Sequence, residues 1–296
     1  MQSVPTIDAP LVRQLVAEQF PEFSGLDVRP VTTSGWDNRT FHLGDRMLAR
    51  FPSASRYAPQ VRKEQFWLPK LAEYLPVAIP KPIALGMPAF GFPFEWSIYE
   101  WIEGHTLASD DKTDHKVVAY ELAKFLKALQ HIDVSGAPKP DQNNFFRGGS
   151  LNFYDTEVRE AASALRDVYP DASIIEIWER GLKSSWERPA VWVHGDVSAN
   201  NILLQDGHLH AVIDFGQLAA GDPACDLAIA WNSFAEGSRK VFRNTLIVDA
   251  ATWHRGKCWA LWKALMVRAG AADALTTQAL LADGIIQVIL AEPTQN

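Results

Sequence analysis

His194-Gly195-Asp196-Val197-Ser198-Ala199-Asn200-Asn201-Ile202-Leu203-Leu204 is followed by Ala211-Val212-Ile213-Asp214-Phe215-Gly216, and then by Gly221-Asp222-Pro223-Ala224-Cys225-Asp226-Leu227-Ala228. Asn201 lies five residues after Asp196 in a polar loop, and Asp214 thirteen residues further on at the end of a β-leaning run. Two carboxylates and a neutral amide oxygen in this order suit phosphoryl transfer, which asks a protein mainly for alignment and charge neutralisation. One carboxylate orients an acceptor hydroxyl and takes its proton, while the amide and the second carboxylate hold Mg²⁺ against the phosphates. Taken singly, His194 reads as a core or turn histidine, Asp222-Pro223 as a turn and Asp226 as a helix cap. The joint spacing of about ten fixed positions overrules those separate readings.

The spacing matches the catalytic-loop aspartate, metal-binding asparagine and D-F-G aspartate of protein kinases. Read as VHGDVSANNILL, AVIDFG and GDPACDLA, the carboxy-terminal half closely resembles the signature of the aminoglycoside phosphotransferase superfamily, which includes macrolide kinases. The amino-terminal half is similar more loosely, through SGWDNRTFHL, MLARFP, the KEQFWLPKL helix and SIYEWIEG. The resemblance implies an α+β, two-lobed protein-kinase-like fold. A small β-rich lobe over residues 1–102 would bind ATP or GTP, and a larger, mainly helical lobe over residues 103–296 would carry catalysis and the acceptor. It implies Asp196 as catalytic base, with Asn201 and Asp214 on Mg²⁺ and His194 and Asp226 supporting the loop. Ser34 and Gly35 would sit in the nucleotide loop, Arg50 and Glu64 would form the ion pair beside the phosphates, and Glu100, Trp101 and Ile102 would hold the base through backbone groups.

Two features depart from the pattern that the resemblance brings with it. Arg50 stands where protein kinases carry a lysine, and its planar, permanently charged guanidinium binds phosphate in a different pose. The loop reads VSAN where the family commonly has L-H-P-G, which makes Asn200 and Asn201 neighbouring metal candidates; the spacing favours Asn201.

Outward from the motif, Val12 to Phe20 reads as a short amphipathic helix, and Arg39 to Leu43 and Arg46 to Phe51 as a hairpin around Gly44-Asp45. Val61, Glu64, Leu68, Leu71 and Leu75 share one helical stripe. A carboxylate on such a stripe is costly unless it finds a cation, which again points from Glu64 to a basic partner; a tilted helix that lets it reach solvent is the other reading. Five prolines between 76 and 93 leave room for an edge strand at most. Glu95 to Ile102 reads as a buried strand, Lys116 to Ile132 as a helix, and Asp141 to Gly149 as a loop. Asp155 to Arg188 is mostly helical; Ala190 to Val193 and His208 to Phe215 are β-type on either side of an Asp206-Gly207 turn, and at least three helices follow Pro223. His208 and His210 alternate on that run without a third ligand, so a metal there is disfavoured.

A chain of 296 residues with 47% hydrophobic side chains supports one large domain or two lobes around a cleft. The net charge of −7 disfavours nucleic acid and anionic lipid as partners. Two widely separated cysteines give neither a disulfide framework nor a zinc spacing. Without a basic segment leading into a long apolar run, the expectation is a soluble cytoplasmic enzyme, monomer or homodimer, with a small-molecule hydroxyl acceptor. That acceptor is expected to be an aminoglycoside- or macrolide-like antibiotic. A metabolite alcohol is the alternative within enzymes, and a nucleotide-binding pseudokinase the alternative outside them. The stretch 155–180 carries seven acids against three arginines, which suits a cationic acceptor if it is not simply a solvated helical face.

Overall fold

The computed structural model describes residues 6–31 and 37–292. α1 (Ala9–Gln19) precedes five strands, β1 (Val28–Pro30), β2 (Asn38–Leu43), β3 (Met47–Pro52), β4 (Pro82–Gly86) and β5 (Trp96–Glu100), which form one antiparallel sheet in the order β1-β2-β3-β5-β4. The β2–β3 hairpin turns at Gly44, where φ of +62° makes glycine the residue of least strain. β4 is an edge strand, in keeping with the prolines around it. One face of the sheet packs Phe41, Phe51, Trp96 and Ile98 against Val12, Leu15 and Val16 of α1. Phe51 and Trp96 stack with ring centroids 4.7 Å apart. α2 (Ala58–Ala72) follows β3 and takes Pro59 in its first turn, where a missing N–H costs nothing.

The chain then becomes mainly helical. β6 (His105–Thr106) leads to α3 (His115–His131), α4 (Asp155–Ala164) and α5 (Asp171–Leu182). β7 (Val191–Val193), β8 (Ile202–Gln205), β9 (His208–Val212) and β10 (Ala219–Gly221) form two small sheets, β6-β8-β9 and β7-β10. α6 (Ile229–Asn232), α7 (Glu236–Leu246), α8 (Ala250–Gly270) and α9 (Thr277–Ala291) complete the described residues. α8 packs on residues 223–228 and on α9, while α3 packs on α7. A large core containing Phe125, Trp178, Trp192, Phe215 and Leu261 lies beneath these elements. It also takes in Leu68 and Leu71 of α2, so that helix is shared between the sheet and the helical part. Cys225 and Cys258 are buried free thiols.

The strand pairing corrects the sequence reading at one place. The partner of β9 across Asp206-Gly207 is β8, whereas β7 pairs with β10. Ile202-Leu203-Leu204 is a continuous apolar run too short to show an alternation, so its strand character has no local signature. The strand expected to reach Ile102 also ends at Glu100. No described helix is long and apolar enough to cross a membrane.

β10 holds β7, the strand before residues 194–201, through Gly221↔Val191 and Ala219↔Val193, and Asp222 N–H donates to the Gly148 carbonyl at 2.7 Å. A Cβ on Gly221 would lie 2.1 Å from that carbonyl oxygen, so Gly221→Ala forces the backbone apart. Gly221→Ala is expected to lose about 1–3 kcal/mol in denaturant unfolding, while Gly25→Ala, which meets nothing within 4 Å, stays within about 0.5 kcal/mol.

Candidate active site

β7 leads directly into His194, Gly195 and Asp196. The loop is shaped by one buried carboxylate: Asp226 accepts the N–H groups of His194 and Gly195, each at 2.8 Å. Burial pushes the Asp226 carboxyl up despite those two donors. Gly195 has φ of +86°, and a Cβ there would meet the Gln217 carbonyl oxygen at 2.5 Å, so glycine is required. The His194 ring contacts the Ile213 carbonyl through Nε2 at 3.0 Å and receives the Asp196 N–H on Nδ1 at 3.2 Å. Because a carbonyl only accepts, this pattern defines the neutral tautomer with the proton on Nε2. His194 therefore ties the loop of Asp196 to the strand that leads to Asp214.

Asn201 and Asp214 come together at the open end of the β8–β9 hairpin, where Ile213 N–H donates to the Asn201 carbonyl at 2.9 Å. The Asn201 amide nitrogen donates to the Asp196 carbonyl at 2.9 Å and to Asp196 Oδ2 at 3.2 Å, leaving Oδ1 as the acceptor end of the side chain. Asp214 sits in the left-handed region with φ of +66°, a strained geometry for a residue with a Cβ, and one that functional loops tolerate.

On the opposite wall Arg50 of β3 meets three carboxylates. Its Nη1 donates to Glu64 Oε1 at 3.1 Å and Oε2 at 3.2 Å, and its Nη2 bonds to Asp214 Oδ1 and lies 3.8 Å from Asp37 Oδ2. Glu64 is 3% exposed and also accepts the Tyr99 hydroxyl at 2.6 Å. The carboxylate on the apolar stripe of α2 thus has its cation. Burial and the nearby Asp214 push the Asp37 carboxyl up against the pull of Arg50. The neighbouring carboxylates drive Arg50 further above its ordinary value although burial works the other way.

The oxygen donors fit Mg²⁺. Among the described residues no group of three or more His, Cys, Asp or Glu is placed to hold a metal by itself. An asparagine and one or two aspartates leave most of the coordination shell to phosphate oxygens and water, which is the arrangement Mg²⁺ prefers. The surplus of carboxylates over Arg50 also favours added positive charge.

Residues 27–259 match the model of the phosphotransferase enzyme family. The chain belongs to this family. It is 30% identical over 118 residues to an aminoglycoside 3'-phosphotransferase of Escherichia coli and, to the same extent, to one of Salmonella typhimurium. The match spans 40% of this chain and 43% of either relative, less than half of their length. Among solved structures, the GDP complex of aminoglycoside 2'-phosphotransferase-IIIa superposes with a TM-score of 0.70 at 18% identity, covering 96% of this chain and 99% of that one. Macrolide 2'-phosphotransferase type I gives a TM-score of 0.63 at 22% identity, covering 97% and 98%. These likenesses establish the kinase-like fold.

The structure of this family member separates the other sequence candidates. Ser34 and Gly35 lie outside the described residues. The Glu100 and Trp101 N–H groups are engaged by the carbonyls of Lys81 and Arg46, at 3.0 and 2.8 Å, so of their backbone groups only the carbonyls could serve a nucleotide base. The sheet edge takes both donors because β4 and the β2–β3 hairpin close on this segment. Ile102 has no backbone partner among the described residues and remains open. His208 pairs with Glu121 at 2.8 Å, which accounts for it without a metal.

The acids of residues 155–180 are partly consumed inside the protein. Asp155 and Glu179 pair with Arg159, and Glu157 accepts from Trp262 Nε1 at 2.8 Å. Asp249 caps α8 and pairs with Arg188, whereas the exposed Asp273 accepts, among the described residues, only the Leu275 N–H on Oδ1.

Two neighbours of Asp196 have no local sequence signal. Lys263 of α8 places Nζ 3.0 Å from Asp196 Oδ1. Arg147 lies with its guanidinium 4.6 Å from the Trp262 ring centroid and 5.0 Å from that of Trp259, and donates from Nε to Gln217. Burial raises the Asp196 carboxyl, but the neighbouring cationic and donor groups, Lys263 foremost, outweigh burial and hold it below the usual carboxylate range. Asp196 therefore stays ionised throughout neutral pH.

Arg50→Ala leaves Glu64 buried without a cation and is expected to cost about 3–5 kcal/mol in denaturant unfolding, of which adding Glu64→Gln restores a part. A double variant no more stable than Arg50→Ala removes the ion pair from that account. Lys63, one residue before Glu64, is pushed by burial down to about 8 from 10.5. Its charged form is disfavoured by folding, so the cost is full below pH 8 and disappears as pH rises toward 10.5. Lys63→Met is expected to gain roughly 2–3 kcal/mol at pH 7 and progressively less above pH 8, read from unfolding curves across that range.

Proposed function

We propose that this phosphotransferase moves the γ-phosphoryl group of ATP or GTP onto a hydroxyl of a small molecule, with Asp196 as the catalytic base. The observation that carries the reading is the convergence of Asp196, Asn201 and Asp214 at one end of the β8–β9 hairpin, facing the Arg50–Glu64 pair. Asn201 and Asp214 would hold Mg²⁺, which supplies charge neutralisation to the phosphates when bound. Arg50, held by Glu64, is placed to shift from Asp214 to the phosphates once a metal takes over that carboxylate. Ile102 offers the backbone groups for the base, and the segment with Ser34 and Gly35 would cover the phosphates. The boundary between the lobes falls near residue 102 on this reading.

Asp196 receives the proton of the acceptor hydroxyl as its oxygen forms a bond to the γ-phosphorus. The bond from that phosphorus to the β-phosphate oxygen breaks, and its electrons leave on the nucleoside diphosphate. Because Asp196 is already ionised, its main contribution is to orient the hydroxyl and accept the proton late. Aminoglycoside- and macrolide-like antibiotics are the acceptor class that the family and its relatives support.

Phosphate transfer from both nucleotides to an aminoglycoside and macrolide panel tests the reading. Asp196→Ala is expected to lower turnover about 100-fold to 10,000-fold while nucleotide affinity by calorimetry stays within about threefold. Asp214→Ala is expected to abolish turnover and also the Mg²⁺ dependence of nucleotide binding. Near-normal turnover of the first variant, or an unchanged metal dependence in the second, refutes the assignment of that residue.

A further inference from the structure

The catalytic loop His194 to Asn201 contains neither lysine nor arginine. The cations near it are otherwise engaged: Arg50 binds Glu64 and Asp214 on the donor side, and Arg147, 9% exposed, lies against Trp259 and Trp262. The acceptor side of the transferring phosphoryl therefore lacks a cation from the loop itself. α8 provides one. Lys263 Nζ is 3.0 Å from Asp196 Oδ1, and its side chain is 45% exposed, so it stands at the mouth of the site rather than in the core.

The position of Lys263 follows from the register of α8. Gly256, Trp259 and Lys263 are spaced by three and four residues and so share one face of the helix. Gly256 allows close packing on Leu227, where a Cβ would come within 2.6 Å of the Leu227 Cβ. Arg255 fixes the same turn by donating to Asp222 Oδ2 at 2.7 Å and Oδ1 at 3.2 Å, with both side chains buried. Asp222 lies four residues before Asp226, the carboxylate that shapes the catalytic loop. One short segment thus anchors both the loop and the helix, and two turns along the helix Lys263 arrives at Asp196.

We infer that Lys263 is a catalytic residue, holding Asp196 in its productive orientation and neutralising the charge that develops on the transferring phosphoryl oxygens. This rests on the kinase reading of Asp196. An ammonium on a four-carbon stem has three donors, so Lys263 keeps one on Asp196 Oδ1 and offers the others to phosphoryl oxygens. It remains protonated throughout: the hydroxyl proton passes to Asp196, and the electron pair of the broken P–O bond leaves with the nucleoside diphosphate. Preorganised charge at this place costs no reorganisation during the reaction.

The test compares wild type with Lys263→Met and Lys263→Arg, using ATP and GTP with Mg²⁺ and three acceptors: kanamycin, erythromycin and water. Lys263→Met is expected to lower kcat about 100-fold, with nucleotide affinity within about threefold, and Lys263→Arg to recover about tenfold of that loss. In Lys263→Met the KM for nucleotide and for acceptor stays within about threefold of wild type, so the loss falls on kcat. Lys263→Met turning over within about threefold of wild type overturns the role, as does a loss that appears in KM rather than kcat or that Lys263→Arg does not relieve. A wild-type protein that transfers phosphate to none of the three acceptors overturns the kinase reading itself and this role with it, an outcome distinct from a normal wild type beside an unimpaired variant.

Discussion

A single guanidinium joins the two halves of the cleft. Arg50 extends from the central strand β3, takes Glu64 from α2 with one nitrogen and Asp214 from the end of the β8–β9 hairpin with the other. The sheet, the helix and the metal-type loop therefore meet through one side chain. Charge makes the junction strong and also conditional: three carboxylates crowd around it, so an added divalent cation alters the balance without any change in the fold. Glu64 is secured independently by the Tyr99 hydroxyl. Asp214, which lacks such a second anchor among the described residues, is the partner of Arg50 that can change on the proposed reading.

The catalytic loop is built on the opposite principle. Asp226 is buried and spends both oxygens on backbone N–H groups of the loop, while His194 uses both ring nitrogens to connect that loop to Ile213 and Asp196. Polar groups there are satisfied within the protein, and the loop is rigid for that reason. What remains available is at the mouth: the carboxylate of Asp196, the ammonium of Lys263 and the amide oxygen of Asn201. A rigid floor with a few exchangeable charges above it is well suited to phosphoryl transfer, where alignment and charge account for nearly all the catalysis.

The sequence by itself determined the order of the site along the chain. Asp196, Asn201 and Asp214 were legible because a short loop and a tight hairpin convert a fixed spacing into a fixed distance, whereas the need for glycine at 195 comes from its close approach to Gln217 and shows only in the structure. Glu64 was legible through its misfit on an apolar stripe. β8 was hidden because three apolar residues carry no periodicity, and Lys263 because it is chemically ordinary on its own helix. Its meaning comes from the crossing of α8 over residues 222–227, set by the Arg255–Asp222 pair and the Gly256 contact. The spending of the Glu100 and Trp101 donors, the closure of Arg147 under two tryptophans and the arrival of Lys263 at Asp196 were decided by tertiary structure alone, because each depends on where elements distant in sequence come to rest, and no local pattern encodes that.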